Sequence, residues 1–214
     1  METVLETQES PPPLDSSLAP VLLFNCGRGG TDPEDGDCGG ARLAYSIPKK
    51  QLLLAVELDR LIDDGNWWIT AQGWTLTLDP ATRTTSLRDP FSSRTICLPP
   101  DTDSLLAAGS YETTCVMSTR RPTDPGCVVL VIHRTDPVLC YCRPGGSQWL
   151  RHQYRPELLL TEDDNYSRDE IICTIGYNTT GFLGRFYTHW GHKVATIEFS
   201  PEPTLSVTQI VATA

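Results

Sequence analysis

The sequence predicts an all-β fold built from repeated, blade-like sheets, and three observations carry that prediction. Seventeen prolines and sixteen glycines punctuate 214 residues. Such frequent breaks favour many short strands over helices. The runs between the breaks are short and rich in β-branched and aromatic residues, which suit a pleated, half-buried surface. The runs also recur in groups of four, and the full groups begin near residues 66, 111 and 169, spacings of 45 and 58. Four strands in roughly 40–50 residues is the repeat of a β-propeller blade. A two-sheet sandwich accommodates short strands too, but it does not predict a recurring four-strand layout. The expected architecture is a partial or minimal β-propeller of about four blades with four antiparallel strands each, the first blade incomplete.

Element by element, residues 1–20 are acidic, proline-rich and aperiodic, and read as a disordered leader. The domain proper is expected over 21–214, with blades near 21–64, 66–100, 111–155 and 169–212. The first group holds VLLFN (21–25), RLAYSI (42–47) and QLLLAVEL (51–58). The Gly/Asp-rich stretch from Cys26 to Gly40 lacks the lysine ending of a P-loop and the bidentate glutamate of an EF-hand, so it reads as a solvated hairpin loop. LLLAVELDRLIDD (52–64) is compatible with strand or short helix. The second group is NWWITAQG, WTLTLDP, TTSLRDP and RTICLPP, where Trp74, Leu76 and Leu78 alternate with Thr75, Thr77 and Asp79. That is the period of a half-buried strand. The third group is YETTCVMST, GCVVLVIHR, VLCYCRP and SQWLRHQYR. Its CVVLVI run is apolar on both faces, which predicts a central strand covered on both sides. An acidic link, ELLLTEDDNYSRD, with room for a short helix, leads to the fourth group. There DEIICTIGYN (169–178), GRFYTHWG, HKVATIEFSP and TLSVTQIVA are all read as strands.

Charge and composition narrow the function classes. A net charge of −10 without a basic stripe argues against nucleic acid and anionic membranes as partners. No apolar run reaches the ~18 residues of a transmembrane helix, and the N-terminus has no apolar signal core. The expected location is cytoplasmic or nuclear. The eight cysteines are therefore expected as free, buried thiols, Cys97 and Cys173 included. The Asn165 and Asn178 sequons are expected to be chance matches.

Chemistry-bearing patterns are sparse. Cys140 and Cys142 share one face of a strand, which could present two thiols to an ion. A tetrahedral site needs two more ligands, and nothing places His189 and His192 beside them, so a core-packing pair is expected. No nucleophile elbow, zincin motif or Walker motif occurs. No catalytic, cofactor-binding or metal residue is assigned, and no cofactor is expected. Aromatic residues often anchor interfaces. Trp67, Trp68, Trp149, His189 and Trp190 are the candidate interaction residues, with Trp67 and Trp68 pointing to opposite faces of their strand.

The stretch GWTLTLDPATRTTSLRDPFSSRTICLPP (73–100) resembles the plant F-box-associated, kelch-like β-propeller family of the KIB type. The resemblance is carried by Gly73-Trp74, Asp79, Leu87, Asp89-Pro90-Phe91 and Leu98-Pro99-Pro100, with Asp89 standing where the family more often has Asn. GCVVLVIHR…LCYCRPGGSQW (126–149) and GRFYTHWGHKVATIEFSPEP (184–203) resemble two further blades of that family. The resemblance implies a non-enzymatic recognition module with a protein partner, acting in substrate recognition for ubiquitin ligation. Some twenty residues precede the first strand, so neither an F-box nor binding of a Skp-type adaptor is expected. The competing readings are a truncated paralogue without activity, and an enzyme or ligand binder that uses the propeller channel.

Overall fold

The computed structural model describes residues 15, 17, 21–26, 41–53, 66–92, 94–161 and 165–210. The chain divides into two compact units, 1–64 with 89–94, and 65–88 with 95–214. Among the described residues of the first unit, β1 (Val21–Cys26), β2 (Ala41–Ser46) and β3 (Gln51–Leu53) form an antiparallel three-stranded sheet in chain order. Residues 27–40 and 54–64, which carry the Gly/Asp-rich loop and most of the ambiguous apolar stretch, lie outside the described residues, as does nearly all of the 1–20 leader.

The second unit contains three four-stranded antiparallel meanders, each in chain order. The first is β4 (Asn66–Ile69), β5 (Thr75–Leu78), β6 (Thr85–Arg88) and β7 (Thr95–Leu98). The next is β8 (Thr113–Met117), β9 (Val129–His133), β10 (Val138–Cys142) and β11 (Leu150–Gln153). The last is β12 (Thr180–Phe182), β13 (Arg185–Trp190), β14 (Lys193–Phe199) and β15 (Pro203–Gln209). The fold is all-β in class, a partial propeller of four sheets, with the expected three-stranded first sheet.

Hydrophobic alternation stacks these meanders. Val129 and Val131 of β9 face one core, shared with Leu76, Leu78 and Leu87 of the preceding sheet. Leu130 and Ile132 face a second core, shared with Phe186, Ala195 and Ile197 of the following sheet. The run expected to be covered on both faces is so covered, because its even and odd residues serve different neighbours. Each fully buried large apolar side chain contributes about 1.5–3 kcal/mol.

Two turns explain the family-like motifs. Asp79 accepts from the amides of Ala81 and Thr82 at 2.8 and 3.2 Å and from the Thr82 hydroxyl at 2.7 Å. The Thr82 hydroxyl and these amides hold its carboxyl below the usual carboxylate range. Asp89 repeats the device with the Phe91 amide at 3.0 Å and the Ser92 hydroxyl at 2.6 Å. A proline follows each aspartate, pre-setting the backbone for the turn.

One element departs from expectation. Residues 169–178, read as a strand from their isoleucines, belong to helix α2 (Arg168–Asn178); a single short turn, α1 (Gly109–Glu112), precedes β8. Ser167 caps α2. Its hydroxyl accepts from the Glu170 amide, and its amide donates to Glu170 Oε2 at 2.7 Å. This capping box outweighs the weak helix preference of isoleucine. Ile171, Ile172, Ile175 and Gly176 form the buried helical face. The inner strand of the last sheet is instead Thr180–Phe182. The link between the third and fourth groups does carry a short 3-10 helix, Pro156–Leu159.

Candidate interaction face

The first strands of the three meanders, β4, β8 and β12, lie side by side, and the turn after each lies at the same end. The Thr70–Trp74 turn is closed by Gly73 N–H to Thr70 C=O at 2.9 Å and Trp74 N–H to the Thr70 hydroxyl at 3.1 Å. Gly73 sits at φ +84, a left-handed conformation that glycine adopts without steric cost. The turn aims Gln72 across to the neighbouring strands. Its Nε2 donates to Met117 C=O at 3.2 Å and to Gly181 C=O at 3.4 Å, so one side chain ties all three inner strands. Gln72 Oε1 is buried with no hydrogen-bond partner among the described residues. Beside it, Gly184 N–H donates to Ser118 C=O at 2.9 Å. Ser118 also closes the loop before β9, accepting from the Val128 amide at 2.9 Å. That loop and Arg143 line a shallow groove of 380 Å³, with Pro122, Asp124, Pro125, Cys127 and Pro144 at its walls.

At the opposite end, polar groups pair and loops pack closely. Asp101 is fully buried and pairs with Arg83 at 2.8 Å. Arg134 stacks over the Tyr177 ring at 4.7 Å, and Gly176 passes so close to the Arg134 backbone that no Cβ fits. The Gln72 turn, the 118–128 loop and the Leu183-Gly184 turn lie together at the first end.

The candidate aromatics divide on burial. Trp68, Trp149 and Trp190 are buried and serve packing between sheets. Trp68 Nε1 donates to the Thr113 hydroxyl at 2.6 Å, from one meander to the next. Trp149 Nε1 donates back to Pro99 C=O at 2.9 Å and to the Thr85 hydroxyl at 3.2 Å. Trp190 lies in the second core, and its Nε1 has no hydrogen-bond partner among the described residues. Trp67 is half-buried and His189 exposed. Trp67 and Trp68 do point to opposite faces of β4. Trp149→Phe is expected to destabilise the chain by about 1–2 kcal/mol, the worth of a buried hydrogen bond. The shift of the urea midpoint measures it, and an unmoved midpoint would mean that the Trp149–Pro99 lock contributes nothing.

The thiols also divide. Cys115, Cys127, Cys140 and Cys142 are free and buried, as expected, but Cys97 and Cys173 are free and exposed. Cys97 lies on the outermost strand of its sheet, and Cys173 on the outer face of α2 rather than in a strand. Cys140 and Cys142 both pack in the first core, and Cys140 Sγ points at Leu105 C=O. Burial pushes the Cys140 thiol up to about 11 and lifts Cys115 and Cys142 well above their usual range. In native protein, iodoacetamide is expected to label Cys97 and Cys173 and to spare Cys115, Cys140 and Cys142, as read by peptide mass spectrometry. The buried thiols stay protonated in the folded state after their unfolded counterparts ionise near 9. Their contribution is complete below pH 9 and falls above it, by up to about 1.4 kcal/mol per pH unit for each thiol. Stability that holds flat from pH 8 to 10.5 would contradict their burial.

Gln72, Phe182 and Leu183 escape a reading of sequence alone. The signal that was available is the pair of glycines, Gly73 and Gly184, that mark the turns carrying or flanking them.

With strand order, inner-strand convergence and turn motifs in place, comparison with protein families decides the affiliation. The KIB1-4 beta-propeller family model matches residues 44–213. The chain belongs to the KIB1-4 beta-propeller family. The match takes in the Gly73-Trp74 turn, both Asp-Pro turns and Leu98-Pro99, whose carbonyl at Pro99 receives Trp149. Comparison with curated proteins and with solved structures returns no match. A propeller of this family is an interaction-type domain. Among the described residues no helix is long and apolar enough to cross a membrane.

Proposed function

We propose that this KIB1-4 beta-propeller domain is a non-enzymatic protein-recognition module, spanning 21–214 behind a 1–20 leader and working in the cytoplasm or nucleus. The observation that carries the reading is the Gln72 bridge, which locks three inner strands together beneath a set of exposed loops. A rigid scaffold under variable loops is the arrangement by which folds present binding residues. The strongly shifted titratable groups support the same reading. Cys115, Cys140, Cys142 and Tyr154 are lifted chiefly by burial in packed cores, whereas catalytic groups shift in clefts open to substrate. Trp67 and His189 keep solvent-facing surface and are the members of the aromatic set proposed to touch a partner. The finer role is substrate recognition for ubiquitin ligation.

Affinity capture from plant extract with the tagged full chain tests the reading by quantitative mass spectrometry. Specific protein partners are expected above a blank-resin control. Capture indistinguishable from the blank would remove the recognition reading, and partners that include no component of a ubiquitin ligase would remove the finer role.

A further inference from the structure

Resting on that recognition reading, we infer that the β12–β13 hairpin tip is the partner-contacting element and that it takes a short acidic peptide bearing an apolar anchor. Phe182 and Leu183 are adjacent, large and apolar, yet they are 62% and 80% exposed. Leu183 has φ 49 and Gly184 φ 84, the two positive values of a type I′ hairpin turn. Asn or Gly is favoured at the Leu183 position, because a branched side chain there is strained. The tip thus accepts strain and solvent exposure together, and neither aids folding. Strain held by a rigid surround marks functional surfaces. The surround here is rigid: Gly181 lies against the Met117 carbonyl, Gly184 donates to Ser118, and Gln72 bridges both strands.

Charge at the tip selects the partner. Ser118, bonded to the hairpin, opens the loop that carries Arg120 and Arg121. Both are exposed, and among the described residues neither guanidinium meets a carboxylate. Arg185, on the hairpin itself, is neutralised by Glu198 at 2.9 Å, and Asp124 sits in the same loop, accepting from the Arg121 amide at 3.3 Å. On a chain of net charge −10, two uncompensated arginines on the loop bonded to this apolar tip favour a peptide that places carboxylates around a Leu or Phe.

The test selects a random dodecapeptide phage library on the immobilised full chain and measures the enriched peptide by fluorescence anisotropy. Acidic peptides with an apolar residue are expected to enrich. Their affinity should fall at least tenfold for Leu183→Asn, for Phe182→Ser and for Arg120→Glu with Arg121→Glu. Leu158→Ser, an exposed leucine in the 3-10 helix, should leave affinity unchanged. Asn suits the turn, so Leu183→Asn should melt no lower than the parent, which separates lost contact from lost fold. Enrichment of peptides without acids, binding indifferent to the tip variants, or no enrichment at all would each overturn the inference. The capture experiment judges the broader recognition reading separately, since a partner captured equally by parent and Leu183→Asn would keep that reading and discard the tip.

Discussion

Gly181→Ala is expected to cost at least about 3 kcal/mol, the upper end of overpacking penalties. A Cβ at this position would stand 1.7 Å from the Met117 carbonyl oxygen, 2.6 Å from its carbon and 3.0 Å from Ser118 Cα. All three are backbone atoms of β8 and the residue after it, so no side chain can rotate away. To admit a methyl group, β12 must separate from β8. That movement breaks the Gly184–Ser118 hydrogen bond and the Gln72 bridge together. Urea denaturation should show a lowered midpoint at an unchanged slope. Gly73→Ala is the matched control. Its Cβ meets nothing within 4 Å, but its φ is +84, so only the left-handed conformation is charged against it, about 1–2 kcal/mol. If Gly181→Ala melts like the parent, the close approach of the two inner strands is wrong.

Asp101→Ala is expected to destabilise by about 2–4 kcal/mol, because it leaves the Leu105 and Leu106 amides and Arg83 without their acceptor. The carboxylate is fully buried while Arg83 is 29% exposed. Oδ1 accepts from the Leu105 amide at 2.7 Å, and Oδ2 from the Leu106 amide at 3.1 Å and Arg83 Nη2 at 2.8 Å. The backbone takes part as well: Asp101 N–H donates to Arg83 C=O at 2.9 Å, and the Arg83 side chain donates from Nε to Asp101 C=O at 3.1 Å. One side chain therefore pins the connection that carries fully buried Leu106 into the first core. Asp101→Asn keeps the shape and should lose less, about 1.5–3 kcal/mol, as for a hydrogen bond stripped of its charge. In a double-mutant cycle, Arg83→Ala combined with Asp101→Ala should cost less than the two alone added together. Strict additivity would show that the pair is not coupled.

The second and third of the four strand groups were legible because local and global signals agree there. In the second, period-two alternation, Asp-Pro turns and Leu98-Pro99 all point to short antiparallel strands, and β4 to β7 fall inside the four runs read from sequence. In the third, a run apolar on both faces could only be central, and β9 is. The fourth was misread at its start because Ile171, Ile172 and Ile175 suit a strand by side-chain type. The counter-signal, Ser167 three residues before Glu170, is a two-residue pattern that fixes a helix only once both hydrogen bonds form. Cys97 was expected inside and lies outside, since identity alone does not say which face of an outer strand a residue takes. The tryptophans mislead for a related reason. Aromatic richness is shared by interfaces and by the packing between blades, and here Trp68 and Trp149 are consumed by hydrogen bonds to Thr113 and Pro99.

What the sequence determined by itself is the class and the repeat. Hydrophobic periodicity and turn chemistry act over a few residues and are written in adjacent positions. What only the tertiary structure decided is which residues of the three inner strands meet. Gln72, Met117, Gly181 and Leu183 are separated by up to 111 positions in the chain, and no local pattern links them. They meet because the inner strands of three sheets converge. The need for a glycine at 181 and the exposure of the leucine at 183 are consequences of that convergence, which is set by how whole sheets stack rather than by any one segment.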